Sequence, residues 1–574
     1  MLNVDEAQLL TEIKKAAIKN AVEYGKAQES AVSGKVLSKA PELKNDMSKL
    51  HKLVSTIVNE VNSMGKVELE SEYKKYEVEF TSESKEKKEK TAKPKLELKD
   101  IKGTFITRFP PEPNGYLQIG HAKAVLMEQT FARKYNGSII LYFDDTNPEK
   151  EEQRFVDAIK EDLKWLGVTF DKEYYASDNI GLLYKYAETM IREGNAYVCM
   201  CDAEKMRSGR ADGYGCVHKT HTTERNLELW GTMLSRELDE GTATLRLNGD
   251  MSAENTMMRD PTLFRIKYST HYRQGDKYAI WPTYNFNTPV NDSLNGVTDA
   301  IRSKEFELED ELYFKILDML QLRKPRIHTI ARLEIKNNLT SKRKINELIR
   351  EKYISGYDDP RLVTITALKR RGILPGAIKE FALRFGMSKT NSKVSIDMLL
   401  AENRKLIDKN SKRLSCVEEP MELIVNDIPE SEKNKHVKLH PLADIGYKKY
   451  NLNNVFFINT TDASNLKIGD TVRLKGAFSV RVTGVTKDGM TGNFAGDEMG
   501  PAIQWINKGD EVACKLLRIG DLLINDKFNK DSLSVTNCYV EGYSKSLENG
   551  EVVQFERIGF FKLDDKSTMS FLSL

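Results

Sequence analysis

Apolar residues recur at three- and four-residue intervals through residues 1 to about 75. Leu9, Leu10, Ile13, Ala16 and Ala17, and later Leu50, Leu53, Val54, Ile57, Val58 and Val61, fall into stripes. The spacing predicts a small helical module. The stripes stop across residues 76–100, where a run of Ser, Glu, Lys and Thr from Ser82 to Lys95 offers almost nothing to bury and reads as a mobile charged linker. From about 101 to 330 the period changes. Thr104 to Phe109 and Ser138-Ile-Ile-Leu-Tyr-Phe143 read as strands, while Glu152 to Leu166 and Leu183 to Glu193 read as helices. Such alternation predicts a parallel sheet of the doubly wound type. A second set, from Tyr278-Ala-Ile-Trp281 to a helix over Asp310 to Leu320, reads as its other half, with an insertion at about 200–275 between the two. Residues 331–420 turn mostly helical. Over 421–574, short runs such as Asn454 to Asn459, Thr471 to Lys475, Phe478 to Thr483 and Val552 to Arg557, separated by Gly, Asp and Asn, predict β-barrels. The fold class expected is multidomain α/β.

Composition narrows the class without naming a function. At 574 residues, 30% charged and 40% hydrophobic, the chain is long enough for several buried cores, and no apolar run is long enough to span a bilayer. The N-terminus lacks the basic and apolar segments of a secretion signal, so a cytoplasmic location is expected, with no membrane partner. A net charge of +3 argues for no polyanionic partner by itself. Basic groups do gather at Arg323-Lys-Pro-Arg326, Ser341-Lys-Arg-Lys344 and Lys369-Arg-Arg371, a pattern compatible with a phosphate-tracking groove but equally with solvated helix faces.

The richest stretch is Arg108-Phe-Pro-Pro-Glu112-Pro-Asn-Gly115-Tyr-Leu-Gln118-Ile-Gly120-His121, followed by the helix-forming run Ala122 to Gln129. Strand, turn and helix in that order make a phosphate site: N–H groups at the helix start carry partial positive charge, Gly120 allows close approach, and His121 can donate to a phosphate oxygen. ATP is the expected ligand.

These fourteen residues resemble the first signature ("HIGH") of class I aminoacyl-tRNA synthetases in their glutamyl and glutaminyl branch. The family has histidine where this chain has Gln118, whose amide still donates to a phosphate oxygen but transfers no proton. Phe143-Asp144-Asp145-Thr-Asn-Pro-Glu-Lys150 matches the same family, and implies Asp144 for the substrate's α-ammonium group and Arg108 near its carboxyl groups. Thr340-Ser341-Lys342-Arg343-Lys344 stands at the second signature, KMSKS, with Leu339 and Thr340 in place of the usual Lys and Met. Lys342 and Ser341 would neutralise charge building on the phosphates. The resemblance implies ATP contacts from Glu112, Gly120, His121, Lys123, Arg332, Lys342 and Arg343, catalytic roles for His121, Gln118, Lys342 and Ser341, and substrate contacts from Arg108, Asp144, Tyr284 and Arg302.

Within the stretch Trp281 to Glu305, Arg302 occupies the position where the glutaminyl branch carries a small neutral residue and the glutamyl branch an arginine. A side-chain carboxylate matches a bidentate guanidinium, whereas an amide leaves that cation poorly paired, so Arg302 argues for glutamate. The plain alternative is a salt bridge to Glu305 or Glu309. The resemblance further implies a Rossmann-type catalytic domain, an acceptor-binding insertion, a helical region contacting the tRNA stem, and antiparallel C-terminal β-barrels reading the anticodon. It implies Mg²⁺ with ATP, and tRNA(Glu) and glutamate as partners. It leaves open whether tRNA(Gln) is charged and what the oligomeric state is. A glutamine-specific ligase and a non-catalytic tRNA-binding derivative are the rival readings.

Cys199-Met-Cys201 and Cys216-Val-His218 set three thiolates and an imidazole at spacings of two, fifteen and two. The set resembles a structural Cys₃His Zn²⁺ site, with His221 competing for the fourth place and three free buried cysteines as the alternative.

Overall fold

The computed structural model describes residues 6–39, 47–76, 96–99, 101–487 and 489–574. The chain divides into two compact units, Met1–Pro94 and Lys95–Leu574. In the first, α1 (Glu6–Tyr24), α2 (Glu29–Lys39), α3 (Met47–Ser63) and α4 (Lys66–Lys75) carry the expected stripes. Ile13, Ala17, Val32, Val54, Val58 and Val61 close a core of their own. The segment read as a charged linker lies largely outside the described residues.

The second unit begins with β1 (Ile106–Phe109), α5 (Ile119–Lys134), β2 (Ser138–Phe143), α6 (Gln153–Trp165) and β3 (Lys172–Tyr175). The strands pair in parallel, in order β1-β2-β3. Five of the six residues of β2 are buried, as expected of a strand covered on both faces. The turn from α5 into β2 needs a glycine: a Cβ on Gly137 would lie 2.0 Å from the Phe105 carbonyl oxygen.

Next comes an antiparallel four-stranded sheet, β4 (Ala196–Cys199), β5 (Thr244–Leu247), β6 (Thr262–Ile266) and β7 (Ile280–Pro282). Here the structure corrects the reading of 278–281 as the start of the second parallel half. That strand closes the insertion sheet by pairing antiparallel to β6. The apolar run alone could not distinguish the two sheets, since both bury it.

The second parallel half follows α7 (Tyr284–Leu294). It consists of β8 (Asp299–Ser303), α8 (Asp310–Met319) and β9 (Arg326–Ile330), with β8 and β9 parallel. Thr298 N–H donates to the Ile106 carbonyl at 2.8 Å, seating this pair beside β1. The carboxyl ends of β1, β2 and β8 therefore converge, which is where ligands bind in open α/β sheets. Helix α9 (Lys342–Arg350) opens the helical region.

Two seven-stranded, barrel-like sheets finish the chain, and they are nested. One uses residues 420–507; the other combines Lys412–Leu414 and β10 (Cys416–Val417) with β11 (Glu511–Ile519), β12 (Leu533–Glu541) and the last three strands. Both are mixed rather than purely antiparallel. Lys412–Leu414 runs parallel to Val552–Phe555, and Pro420–Asn426 parallel to Gly489–Phe494, because each pair is joined through a long connection instead of a hairpin. No helix among the described residues is long and apolar enough to cross a membrane.

Candidate active site

Each half of the parallel sheet brings one arginine to the surroundings of Tyr313. Arg108, on β1, is 1% exposed; its Nε donates to Asp292 Oδ1 at 2.8 Å and its Nη1 to the Ile301 carbonyl at 3.1 Å. Tyr313 donates its hydroxyl to the other Asp292 oxygen at 2.9 Å. Buried against Asp292, the Arg108 guanidinium stays charged.

Arg302, on β8, has a side chain 3% exposed and sits among the rings of Tyr284, Phe306 and Tyr313. Its Nη1 pairs with Asp310, its Nη2 reaches the Tyr284 hydroxyl at 3.4 Å, and Glu309 lies 3.8 Å away. Glu305, offered by sequence as a partner, faces Arg332 at 3.5 Å instead. The guanidinium is thus locked to a protein acid, and its position does not by itself choose between glutamate and glutamine. Its Nε is nevertheless buried without a hydrogen-bond partner.

Asp144 follows β2 and is 5% exposed. Its Oδ1 accepts from Asn287 Nδ2 at 2.7 Å and from Thr146 Oγ1 at 3.2 Å. A relay fixes the amide orientation: Tyr142 and Asn291 both donate to Asn287 Oδ1, which leaves Nδ2 to face the carboxylate. Burial, with Glu112 and Asp145 nearby, pushes Asp144 up to about 7. Tyr284 feels Arg302, Arg108 and Asp144 together, so the four residues expected to hold the substrate are brought to one place.

Behind this loop lies a cluster that sequence reasoning did not single out. Asp145 accepts from Ser177 N–H and Oγ at 2.8 and 2.7 Å and from the Tyr272 hydroxyl at 3.0 Å. His271 Nδ1 accepts two backbone N–H groups, so Nε2 bears the proton and donates to the Asp145 carbonyl at 3.1 Å. Burial lowers His271 to about 4 and, with Asp145 and Asp144 adjacent, raises Glu151 to about 10. Both are neutral at pH 7. With His271 and Glu151 neutral, the charge of this cluster near pH 7 rests on Asp145, which burial pushes up to about 7. Their sequence signal is faint, since Asp145 and Ser177 are 32 positions apart and Asp145 and Tyr272 are 127 apart.

The side expected to take the nucleotide is more open. Gln118 caps α5, its backbone N–H donating to His121 Nδ1 at 3.1 Å. The His121 Nε2 face is left as a donor. The Gln118 amide donates to the Thr340 carbonyl at 2.9 Å, joining the two signature segments. Glu112 accepts from the Asn114 amide. A Cβ on Gly120 would meet the Leu333 carbonyl at 3.5 Å, an ordinary contact. Lys342 lies along Gly115 and puts its ammonium 4.7 Å from the Phe155 ring centre. Ser341 and Arg343 are exposed beside it at the start of α9. Arg332 is half-exposed between Glu305 and Glu334. Lys123 is turned away: its ammonium donates to the Ala331 carbonyl at 2.7 Å and is 2% exposed. It fastens α5 to the segment that carries Arg332.

At the end of β4, the metal-binding atoms of Cys199, Cys201, Cys216 and His218 lie within 4.8 Å of one another, the only such group among the described residues. Cys199 and Cys216 sulfurs are 3.6 Å apart, and Cys201 Sγ is 3.5 Å from His218 Nδ1. Tetrahedral zinc with ordinary bond lengths needs ligand separations of about 3.5 to 3.8 Å; these two match, Cys199 Sγ to His218 Nδ1 at 4.0 Å is slightly long, and the chemistry of the donor set fits the ion. Arg246 Nη1 donates to Cys199 Sγ at 3.7 Å, a contact that favours the thiolate. His221 stands aside, its ring 5.3 Å from that of His218.

Comparison with known proteins agrees with this layout. Residues 104–409 match the family model "tRNA synthetases class I (E and Q), catalytic domain", and 411–496 and 502–564 match its two anti-codon binding domain models. A glutamate–tRNA ligase of Nitrosopumilus maritimus is 38% identical over 99% of both chains. One of Cenarchaeum symbiosum is 36% identical over 97% of this chain and 98% of the relative. A glutamine–tRNA ligase of Ectopseudomonas mendocina is 34% identical over 81% of this chain and 92% of the relative. With the signature helix, the acidic loop and the paired barrels all in place, the chain belongs to the class I tRNA synthetases of the E and Q branch.

Proposed function

We propose that the chain is a glutamate–tRNA ligase. It would activate glutamate with ATP to glutamyl-adenylate and pyrophosphate, then transfer the acyl group to the 3′-terminal adenosine of tRNA(Glu). The relatives that match nearly the whole chain carry that name, and they are what favours glutamate; in the site, the orphaned Nε of Arg302 marks a place for a substrate oxygen. A buried donor without a partner costs about 1–3 kcal/mol, and a substrate carboxylate oxygen would satisfy it while sharing the guanidinium with Asp310.

In this reading Asp144 pairs with the α-ammonium group through its second oxygen, and Arg108, Tyr284 and Arg302 bound the side-chain end. A glutamate α-carboxylate oxygen attacks the α-phosphorus, and pyrophosphate leaves. Glu112, Gly120, His121, Arg332, Lys342 and Arg343 surround the nucleotide, with Ser341, and the amide of Gln118 holds the Thr340 end of the second signature. Lys123 supports them from within. Mg²⁺ enters on the phosphates of ATP as part of the substrate. No covalent enzyme intermediate is required; positioning and charge neutralisation supply the rate. Zinc held by Cys199, Cys201, Cys216 and His218 would be structural, because four protein ligands leave no place for a reacting water.

Charging of purified tRNA(Glu) with labelled glutamate and with glutamine tests the reading. Glutamate is expected to be incorporated. Pyrophosphate exchange driven by glutamine and not by glutamate, with tRNA present, would overturn it in favour of the sister enzyme. No charging with either would favour a non-catalytic tRNA-binding protein. For zinc, elemental analysis of protein purified with its thiols reduced is expected to find one equivalent, and absence of the metal rejects the site.

A further inference from the structure

A cavity lies beside the metal set in the insertion. The helix Ala203–Asp212 places Ala203, Met206, Arg207, Arg210 and Ala211 on one face by three- and four-residue spacing, and that face covers the polar side of the antiparallel sheet. Thr244 on β5 donates its hydroxyl to Met206 Sδ at 3.8 Å, which fixes the side of the sheet concerned. Arg246, two residues further along β5, points the same way. Between helix and sheet opens a pocket of about 430 Å³, with exposed Arg207 at its rim and buried Arg246 and Asp260 along its floor.

The charges lining this pocket do not cancel. Arg246 donates from Nε to the Asp260 carbonyl at 2.8 Å and from Nη1 to Cys199 Sγ at 3.7 Å, while its Nη2 makes no hydrogen bond among the described residues. Arg210 gives one bond to the Thr256 carbonyl at 3.1 Å, and Arg207 has no ion pair among the described residues. Asp260, the acid on the lining, is already taken. Lys219 and the Gly249 N–H donate to one of its oxygens at 2.7 and 2.8 Å, and the Tyr197 hydroxyl to the other at 2.9 Å. Burial and the nearby Arg246 both work against the charge on Arg210. Zinc on the neighbouring set, with three thiolates and a neutral imidazole, would add one net negative charge; with Asp260 this still leaves the guanidinium groups and Lys219 in excess. Exposed arginines alone are ordinary solvated surface. A buried one on the wall of an open pocket, with a donor to spare and two more guanidinium groups beside it, matches the oxygen edges of a phosphate.

We propose that this pocket is a binding site for a phosphate oxyanion, held by Arg210 and Arg246 and closed from outside by Arg207, whose source is a backbone phosphate of an RNA strand or free inorganic phosphate. Tyr214 stands exposed just past the C-cap of the same helix, an aromatic face on which an unpaired base can stack beside a held backbone phosphate. The site is separate from Arg332, Lys342 and Arg343, which the proposed function gives to ATP. The RNA source rests on that proposed function; the phosphate chemistry does not.

The test modifies arginines of the full-length, metal-loaded protein with phenylglyoxal and maps the adducts by mass spectrometry. Three conditions are compared: inorganic phosphate, sodium chloride of matched ionic strength, and purified tRNA(Glu). Arg207 and Arg210 are expected to be protected by phosphate or by tRNA and not by chloride, while exposed Arg192 reacts equally throughout. Protection by tRNA assigns the site to the RNA backbone, and protection by phosphate alone assigns it to the free ion. Equal modification of Arg207 and Arg210 under all three conditions, or protection that Arg192 shares, overturns the proposal, and this arm needs no variant. In Arg210→Gln, the ligand that protects the wild type is expected to protect Arg207 about tenfold more weakly, the loss of one charge-assisted hydrogen bond. Unchanged protection there also overturns the proposal. No amino acid or ATP is present, so failure here leaves the glutamate-charging reading untouched, and failure of charging leaves this readout intact.

Discussion

The two sides of the cleft are built on opposite principles. On the side proposed for the amino acid the central charges are buried and hydrogen-bonded, Arg108 with Asp292, Arg302 with Asp310 though its Nε has no partner, and Asp144 with Asn287 and Thr146. On the nucleotide side the cations are exposed or lightly held, with Arg332 47% exposed and Lys342 resting on Phe155 and Gly115. On the proposed function, the first side would discriminate by shape and charge, and the second would have room to rearrange around a polyphosphate. Binding energy on the first side should therefore appear in KM for the amino acid, and on the second in kcat.

Substitution on the buried side gives the largest expected effect. Arg302→Ala removes a guanidinium whose loss leaves Asp310 and Glu309 without their counter-ion, in a setting where truncating one partner of a buried charge pair costs about 2–5 kcal/mol. Glutamate kcat/KM in a tRNA-charging assay is expected to fall by about a thousandfold, mainly through KM. An unchanged KM would remove Arg302 from the substrate site and break the contrast between the two sides.

Lys342→Ala probes the other side. Removing one group that stabilises developing transition-state charge costs about 10²–10³ in kcat. KM for glutamate is expected to stay within about twofold, since Lys342 touches none of the amino-acid pocket residues. Steady-state charging at saturating ATP separates the two parameters. An equal loss in KM for glutamate would mean that the two sides are coupled in the ground state.

A pH profile sharpens the comparison further. Asp144 in the free enzyme is pushed up to about 7, chiefly by burial. Only its carboxylate form attracts an ammonium group, so protonation works against binding. Glutamate kcat/KM should be level above pH 7 and fall about tenfold per unit as pH drops below it. Asp144→Asn should flatten that limb. Glu151, raised to about 10, and His271, lowered to about 4, stay neutral across this window, whereas Asp145 is also pushed up to about 7, so any residual limb in Asp144→Asn belongs to Asp145.

What the sequence disclosed follows the same division. Contiguous signals were legible: the strand before the first signature, its helix, the buried strand Ser138–Phe143 and helix α6 all lie within a few residues of their expected bounds. So was the gathering of Cys199, Cys201, Cys216 and His218, which sit within 20 positions of one another. Partnerships across the chain were not legible. Arg108 meets Asp292 from 184 positions away, Asn287 meets Asp144 from 143, and Cys416 reaches Cys538 only because one barrel sheet is inserted into the other. Periodicity reports which face is buried, never what lies against it, and for that reason the run 278–281 reads as part of the wrong sheet; Lys123, which the resemblance implies as an ATP contact, instead donates to the Ala331 carbonyl.

The smallest expected effect belongs to Gln118, which belongs to neither side alone. Its amide donates to the Thr340 carbonyl while its backbone N–H orients His121, so it ties the fixed helix start to the looser second signature. A neutral hydrogen bond of this kind is worth about 0.5–1.5 kcal/mol. Gln118→Ala should therefore lower kcat by roughly two- to tenfold, leave KM for glutamate unchanged and keep the pH limb set by Asp144. Gln118→His keeps a donor at the same place and should restore part of the loss. If Gln118→Ala falls as far as Lys342→Ala, the amide itself bears on the phosphates, and the nucleotide side is more tightly preset than its exposed cations suggest. If it changes nothing, Gly115 packing against Lys342 is enough to hold the second signature, and the division between a rigid and an adaptable half stands in its stronger form.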